Sequence, residues 1–446
     1  MTRLPRIAVG TVQPGADHHV MTWALLQTLV NRGLRPQPFY AQGRFSARDA
    51  ATTITGLPRR YLDSWLMKRG ICIELFKHGS QFSDLALVEG SFDAARDDGC
   101  RGGSLDRLCC YLDLPKLIIV DAARMTTGCV PRIPDQTDGI LLDNIVDTTH
   151  MCHLQTTLET LYGVPVVGSL GQLRCLRAAI MGAPRGATPT RELCAALGRA
   201  LQRRLQLGKI LRMASARAFP AAASEPTTWS ANRPERKLHV AVALDEAFTC
   251  YFPDTLDVLE ERGATVSVFS PLTSEQLPNG CDVLYFGCGR PEEFADQLSG
   301  NICIREAVWN HVVTGGRIYA ESAGMAYLAR EIELPNGATR PTVGVLPSSV
   351  RFDPAAGVST PATLRVAADC WLFGRDQHAR GYLNRRWCLQ DDRDLLTLAS
   401  DPRQRLDLVG NYQVVASRLH LHFASQPALV QRFFQPTRPT RLPAIR

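Results

Sequence analysis

The sequence lacks any apolar stretch that approaches the roughly 20 residues a membrane-spanning helix requires. It also lacks low-complexity tracts and internal repeats. The first residues, Met1–Arg6, lead directly into an apolar strand pattern and show no signal-peptide core. These absences exclude fibrous, repeat and membrane-spanning classes, and we expect a globular cytoplasmic protein without a membrane partner.

The 14 cysteines form no Cys-x-x-Cys pair and no ladder of regular spacings. In a chain of 446 residues this pattern predicts reduced, mostly buried thiols and excludes a disulfide framework. His150, Cys152 and His153 are close enough in sequence to ligate a metal ion. They lack a nearby fourth ligand, so a helix surface is the favoured interpretation.

The chain also lacks a strong excess of positive or negative charge, because its formal net charge is only +7. Several arginines, including Arg438, Arg441 and Arg446, lie in the last residues, and others lie between the two halves of the chain. This distribution indicates solvated ends and not a nucleic-acid-binding stripe. We expect no nucleic-acid partner.

Short apolar runs alternate with helical patterns in both halves of the chain, which is typical of parallel sheets covered on both faces. The domains predicted from this pattern are residues 1–211 and 237–435. Between them, residues 212–236 are Ala-rich and then rich in Pro, Ser and Thr, which predicts a linker. Residues 436–446 form a Pro/Arg/Thr tail that we expect to be disordered. The predicted strands of the first domain are residues 6–10, 34–39, 85–89, 116–121, 139–142 and 164–168.

The second half carries several short motifs in a fixed order. A strand, a turn of small residues and a helical pattern surround Ser322, the arrangement that holds a nucleophile on a strained elbow. The motifs are Asp245–Leu256, Phe269–Leu272, Cys288–Glu292, Ala320–Leu328 and Ala416–Phe423. Together they resemble the C-terminal domain of the cobyrinate a,c-diamide synthase family. The resemblance extends to the first half more weakly. It implies a P-loop-like doubly wound α/β domain followed by a class I glutamine amidotransferase-like α/β domain.

The resemblance assigns roles to individual residues of the second domain. The family pattern Ala-Glu-Cys-Gly-Gly places Ser322 where the family has its nucleophilic cysteine, and it places His420 at the catalytic base. Cys288, Gly289 and Ala323 fall in the oxyanion-hole region. A thiol is readily activated by a neighbouring imidazole, whereas a serine hydroxyl is far less acidic. His420 and His422 alternate along one strand, so only one of them is expected to face Ser322.

In the first domain, Gly10–Val20 occupies the position and length of the family's phosphate-binding loop. The resemblance implies nucleotide-binding roles for Gly10, Thr11, Gly15, Asp17 and His18. Asp17 stands where the family has its phosphate-binding lysine, and His18 replaces the magnesium-binding hydroxyl. A negative charge in place of a positive one changes attraction of a phosphate into repulsion of about 4 kcal/mol at contact distance.

The metal-binding pattern of the first domain is also altered. Pro38–Ala47 holds the register of a family motif but lacks its lysine and both acids, while Glu89 keeps the strand-end position of a metal ligand. The loss of these groups favours a fold retained without a nucleotide. The alternative is an anion site of a different kind, built from Arg44, His18 and His19.

The activity implied by the resemblance is ATP-dependent amidation of the a and c carboxylates of a corrinoid. Its cofactor would be Mg-ATP, and glutamine or ammonia would supply nitrogen. The phosphate lysine, the metal acids and the thiol are all replaced, so we expect this activity to be lost or altered. The alternatives are a ligase that uses free ammonia, a Ser322–His420 hydrolase, and a non-catalytic protein that binds a tetrapyrrole or a partner. A homodimer is compatible with each of them, and the sequence leaves the oligomeric state open.

Overall fold

The structure is a computed structural model that describes residues 4–45, 49–95, 102–125, 130–182, 188–220, 237–390, 396–401, 404–410 and 413–435. The chain divides into two compact units, Met1–Glu225 and Pro226–Arg446. The predicted tail, 436–446, and residues 221–236 of the predicted linker lie outside the described residues. Within the described part of the chain, no helix is long and apolar enough to cross a membrane.

The first unit is built on a seven-stranded sheet in the order β3-β2-β4-β1-β5-β6-β7, and every described pairing in it is parallel. Its strands are β1 (Arg6–Thr11), β2 (Pro36–Tyr40), β3 (Arg60–Tyr61), β4 (Leu85–Ser91), β5 (Lys116–Asp121), β6 (Thr137–Ile145) and β7 (Val166–Gly171). Its helices are α1 (His19–Asn31), α2 (Ala51–Thr55), α3 (Arg69–Ser80), α4 (Leu105–Leu112), α5 (Thr148–Tyr162), α6 (Arg174–Met181), α7 (Arg191–Gln202) and α8 (Leu207–Ser215). The predicted doubly wound α/β class is confirmed.

Alternate residues of the central strands of this sheet enter opposite cores, as the two-residue period of a strand requires. Val9 packs with buried side chains of α1, α2, α7 and α8 on one face. Gly10 faces the other way, and a Cβ added there would lie 2.3 Å from the carbonyl oxygen of Gly90 and 2.8 Å from Leu105 of α4. Gly10 is therefore required by the close packing of β1 against β4 and α4.

The first unit continues past the predicted boundary at residue 211. Helix α8 runs to Ser215, and its residues Ile210 and Ala214 are buried in the first core. Farther on, the ring of Phe219 stacks on Phe76 at 5.8 Å, and the carbonyl of Ala218 accepts a 2.7 Å hydrogen bond from buried Arg6. The predicted boundary falls inside this helix, whose apolar residues Leu207, Ile210, Leu211 and Ala214 recur at helical spacing.

The second unit has a seven-stranded sheet in the order β18-β19-β20-β11-β10-β8-β9. The pairs from β9 to β20 are parallel, and the two edge pairs β19–β20 and β18–β19 are antiparallel. Its main strands are β8 (Leu238–Ala243), β9 (Ala264–Phe269), β10 (Val283–Phe286), β11 (Arg317–Glu321), β18 (Leu396–Asp401), β19 (Gln404–Gly410) and β20 (Val414–Ser417). Its helices are α9 (Pro253–Glu261), α10 (Ala295–Gly300), α11 (Ile302–Val313), α12 (Ala323–Leu328) and α13 (Pro427–Phe433).

Two smaller sheets complete the second unit. A mixed four-stranded sheet has the order β13-β12-β14-β17, and an antiparallel three-stranded sheet has the order β15-β16-β21. Their strands are β12 (Glu331–Glu333), β13 (Thr339–Pro341), β14 (Ser349–Phe352), β15 (Thr360–Arg365), β16 (His378–Leu383), β17 (Trp387–Leu389) and β21 (Leu419–His420). Strand β21 directly follows β20, so the chain passes from the large sheet into the three-stranded sheet at this point.

Candidate functional sites

Ser322 occupies a strained turn between β11 and α12. Its backbone has φ 51° and ψ −101°, and its side chain is fully buried. Few residues with a Cβ adopt a positive φ, and such conformations persist where the surrounding structure enforces them. Here the amide of Ser322 donates a 2.6 Å hydrogen bond to the carbonyl of Ser417 at the end of the neighbouring strand β20. The strand–turn–helix elbow predicted from the sequence is thus present.

The hydroxyl of Ser322 is held by a side chain that the sequence analysis missed. Asn384 Nδ2 donates a 2.7 Å hydrogen bond to Ser322 Oγ. The amide N–H of Asn384 donates to the carbonyl of Arg418 at 3.0 Å, and its Oδ1 accepts from the amide of Arg386 at 3.1 Å. Asn384 follows β16, some 60 residues beyond the elbow, and nothing in its local sequence marks it.

Cys288 lies near the same amide nitrogen, with its sulfur 4.0 Å from Asn384 Nδ2. It forms an isolated antiparallel bridge with Cys250, in which backbone hydrogen bonds of 2.9 and 3.2 Å join the two residues. A hydrogen bond between the two thiols, together with burial, raises the pKa of Cys288, and the adjacent His420 imidazole offsets part of this rise. The same thiol contact is the main cause of the lowered pKa of Cys250. Cys288 is therefore a protonated thiol at neutral pH.

The two histidines of the last motif face different surroundings. His420 is buried beside the Cys288 thiol, whose sulfur is 4.0 Å from Asn384 Nδ2. His422 is fully buried elsewhere, with Nε2 3.7 Å from Asp254 Oδ2 and its ring 4.8 Å from that of Phe252. The structure therefore places His420 at Cys288 and His422 at Asp254. A role of His420 as a base stays a prediction.

Glu321, the residue before the elbow, is a fully buried carboxyl group. Its Oε1 accepts hydrogen bonds from the hydroxyl of Tyr319 at 2.5 Å and from the amide of Leu421 at 3.1 Å. Burial raises the pKa of Glu321 to about 8, although these hydrogen bonds oppose the rise. At neutral pH this carboxyl is mainly a neutral acid that ties β11 to the strand carrying His420.

Two backbone amides at this site belong to Gly289 and Ala323, and within the described part of the chain neither donates a turn, loop or cap hydrogen bond to another backbone group. Gly289 approaches another segment closely, since a Cβ there would lie 1.9 Å from the carbonyl oxygen of Ala247. Ala323 is the first residue of α12 and is buried. These amides have the type and location that an oxyanion hole requires, and that role remains a prediction.

In the first unit, the loop between β1 and α1 is closed by internal hydrogen bonds. The side chain of Gln13 bonds to both backbone groups of Asp121, at 3.1 and 2.7 Å. The guanidinium of Arg124 donates to the carbonyls of Pro14 and Gly15, at 3.0 and 2.5 Å. The carbonyl oxygens of Pro14 and Gly15 therefore accept hydrogen bonds from the Arg124 guanidinium. Gly15, with φ 66°, is the position that allows this turn.

The amino end of α1 is occupied by the chain's own carboxylate. Asp17 Oδ1 accepts a 2.8 Å hydrogen bond from the amide of His19, the first residue of the helix. A free helix amino terminus attracts anions, whereas one that carries a carboxylate already has its negative charge. Thr11 likewise uses its hydroxyl internally, as the acceptor of a 3.1 Å hydrogen bond from Gln13.

Next to this loop, His18, His19 and Glu89 form a partly buried cluster. His19 Nδ1 and Glu89 Oε1 are 2.5 Å apart, and the hydroxyl of Tyr40 is 3.3 Å from the same nitrogen. Burial lowers the pKa of His18 to about 4, assisted by the charge of His19. Burial of His19 disfavours its protonated form. The charge of Glu89 and its hydrogen bond to His19 outweigh the effect of burial and raise the pKa of His19. Arg44, the third member of the predicted anion site, contributes its charge to this cluster.

The residues of the loop do not fit a magnesium nucleotide. The phosphate lysine is absent, Asp17 occupies the helix terminus, and the outer loop carbonyls face Arg124. His18 offers an imidazole nitrogen where a hard magnesium ion prefers oxygen.

Comparisons with known proteins agree with this architecture. The profile of a "CobB/CobQ-like glutamine amidotransferase domain" matches residues 239–428. The cobyrinate a,c-diamide synthase of Syntrophotalea carbinolica is 31% identical over 364 residues, which cover 78% of each chain. Those of Thermoplasma acidophilum and Salmonella typhimurium are 24% and 25% identical and cover 96% and 95% of this chain, and 99% and 96% of their own. A crystal structure of a glutamine amidotransferase matches 44% of this chain and 96% of its own, at 21% identity and a TM-score of 0.35, too low to support an argument.

Fold, elbow and sequence matches together define an α/β protein with a class I glutamine amidotransferase-like unit. More narrowly, the chain belongs to the cobyrinate a,c-diamide synthase family.

Proposed function

We propose that this chain is a divergent family member that does not carry out glutamine-dependent amidation. The observation that supports this most directly is the elbow itself. The nucleophile position holds Ser322, whose hydroxyl accepts a 2.7 Å hydrogen bond from Asn384. Glutamine hydrolysis through a thioester requires a sulfur nucleophile there. A serine hydroxyl that accepts an amide hydrogen bond is a poorer nucleophile still, since the bond withdraws electron density from its oxygen.

The state of the first unit supports the same proposal independently. Amidation of a carboxylate requires prior activation, for which family members named as synthases would use ATP. The Asp17 carboxylate at the amino end of α1 and the Arg124 contacts of the loop oppose triphosphate binding. Both halves of the family reaction are thus altered in one chain.

What remains is a non-catalytic role, for which the family suggests a corrinoid or another tetrapyrrole as the bound molecule.

A second candidate, a Ser322–His420 hydrolase, is favoured by one observation. The strained elbow persists beside the amides of Gly289 and Ala323, neither of which donates a turn, loop or cap hydrogen bond to the backbone of the described residues. A fluorophosphonate probe separates the two candidates. Labelling of Ser322 in the wild type, and its loss in Ser322→Ala, would favour the hydrolase.

The first experiment is calorimetry of Mg-ATP with the wild type and with Asp17→Lys. We expect no micromolar binding to the wild type, and weak or no gain in the variant, because Arg124 still holds the loop. Micromolar binding to the wild type would overturn the proposal for the first unit.

The second experiment measures glutaminase turnover in the wild type, Ser322→Cys and Ser322→Ala. We expect no turnover in the wild type and Ser322→Ala. Covalent labelling of Ser322→Cys by a glutamine-like chloroketone would show that the elbow still accepts the substrate. Turnover by the wild type would refute loss of the amidotransferase step.

A further inference from the structure

Three potential metal ligands meet at the carboxyl edge of the first sheet. His18 is the last residue of the loop, His19 is the first residue of α1, and Glu89 belongs to β4, the strand next to β1. One donor atom from each residue lies within 4.8 Å of the other two. We propose that His18, His19 and Glu89 bind a divalent transition-metal ion of the Zn²⁺, Co²⁺ or Ni²⁺ class.

One spacing in the cluster, that between His18 and Glu89, fits a shared metal ion better than a hydrogen bond. His18 Nε2 is 3.6 Å from Glu89 Oε1, beyond ordinary hydrogen-bond distance. Two ligands on a tetrahedral ion with bonds of about 2.0–2.1 Å are separated by about 3.4 Å. His19 Nδ1, now 2.5 Å from the same oxygen, would have to move away by roughly 1 Å. The His19 side chain is 30% exposed, so its neighbours do not fully enclose it.

The burial of the cluster gives a second argument. Glu89 is only 1% exposed, and a buried carboxylate requires a compensating positive charge. The His19 ring supplies part of that charge, with Nδ1 2.5 Å from Glu89 Oε1. A divalent ion bound by Glu89, His19 Nδ1 and His18 Nε2 would supply more positive charge within the same cluster.

The donor types select the class of metal. Two imidazoles and one carboxylate suit zinc, cobalt or nickel, whereas magnesium and calcium prefer oxygen ligands alone. Three protein ligands leave a fourth position for water or an anionic oxygen ligand such as a carboxylate. The Tyr40 hydroxyl, 3.3 Å from His19 Nδ1, is the adjacent group that could hydrogen-bond such a ligand. This inference does not depend on the proposed function, because it concerns metal binding and not amidation.

The test uses the full-length protein, dialysed against EDTA and then against metal-free buffer. Calorimetry with Zn²⁺ should show one equivalent bound with micromolar or tighter affinity. Co²⁺ should give intense visible absorption typical of four-coordinate cobalt, and Mg²⁺ should not compete. The absence of Zn²⁺ and Co²⁺ binding at micromolar concentrations would overturn the proposal.

Variants then locate the ion. His18→Ala and Glu89→Gln should each weaken Zn²⁺ binding by at least about 100-fold, more than the loss of an outer hydrogen-bond partner costs. The matched control is His153→Ala, which removes an exposed histidine of the His150–His153 surface group on α5. It should leave binding unchanged. Full binding in Glu89→Gln, or its loss in His153→Ala, would assign the ion to a different site.

A measurement on the wild type alone identifies the ligands without depending on the correct folding of a variant. X-ray absorption of the Zn²⁺-loaded protein should show two imidazole ligands and no sulfur. A sulfur ligand would place the zinc at a cysteine and refute the site.

Discussion

Asn384 and Ser322 are joined by a 2.7 Å hydrogen bond inside the second unit, although 62 residues separate them in sequence. Ser322 is fully buried and Asn384 is partly buried, so removal of one partner leaves a polar atom of the other without its hydrogen bond. A buried polar group in that state typically costs 1–3 kcal/mol.

We therefore predict that Asn384→Ala lowers the free energy of unfolding by about 1–3 kcal/mol. Asn384 also accepts a hydrogen bond from Arg386, so the single variant does not isolate the pair. A double-mutant cycle with Ser322→Ala, followed by urea denaturation, does so. A coupling energy of about 1 kcal/mol is expected. A coupling indistinguishable from zero would contradict the contact.

The second prediction concerns the strained backbone of Ser322, with φ 51° and ψ −101°. Ser322→Gly and Ser322→Ala both remove the hydroxyl, but only glycine adopts a positive φ without steric cost. Ser322→Gly should therefore be the more stable of the two, by about 1 kcal/mol in thermal or urea unfolding. Equal stability of the two variants would show that the elbow is not strained.

Much of the first fold could be predicted from the sequence, because parallel strands buried on both faces leave continuous apolar runs. Residues 116–121 coincide with β5, and residues 85–89 fall within β4. The small sheets of the second unit were not predicted. Strands such as β15 (Thr360–Arg365) are half-exposed and mix polar with apolar residues, so their periodicity is weak.

The candidate sites were predictable only where a motif is continuous in sequence. Ser322, Gly289 and Asp17 belong to such motifs, and the sequence identified their positions. Asn384 reaches the serine site through tertiary folding and has no local signal, and the bridge between Cys250 and Cys288 joins two motifs that are separate in sequence. The pairing of His19 with Glu89 likewise depends on β1 lying beside β4, a neighbour relation that no local pattern encodes.

The third prediction concerns pH. The pKa of Glu321 is about 8 in the folded protein and 4.5 for an ordinary glutamate, so the folded state holds its proton more tightly than the unfolded state. The stabilisation from this proton is complete below about pH 4.5 and is lost as pH rises to about 8. The amide side chain of Glu321→Gln does not ionise, so the variant does not lose this stabilisation as pH rises.

The measurement is the difference in unfolding free energy between Glu321→Gln and the wild type at about pH 5 and about pH 9. It should shift in favour of the variant by a few kcal/mol over this range. Glu306→Gln, at an exposed position on α11, is the control and should give a constant difference. A constant difference for Glu321→Gln as well would mean that the buried carboxyl does not hold its proton.

The fourth prediction concerns thiol reactivity. The Cys250 contact and burial raise the pKa of Cys288, so little thiolate is present at neutral pH. In alkylation followed by peptide mass spectrometry, Cys288 should react at least about 100-fold more slowly than exposed Cys303. In urea the two should react at similar rates. Rapid labelling of native Cys288 would instead identify Cys288 and His420 as an activated pair.

The position of β20 in its sheet has a consequence for synthesis of the chain. This strand, residues Val414–Ser417, lies between β19 and β11, and the carbonyl of Ser417 anchors the amide of Ser322. Domains emerge from the ribosome amino end first, at about 5–20 residues per second. The first unit has left the ribosome long before β20 exists, whereas β11 must wait about a hundred residues for its partner. Ribosome-bound chains that stop before residue 414 should therefore carry a folded first unit and an open sheet edge at β11, the state in which this protein is most exposed to aggregation.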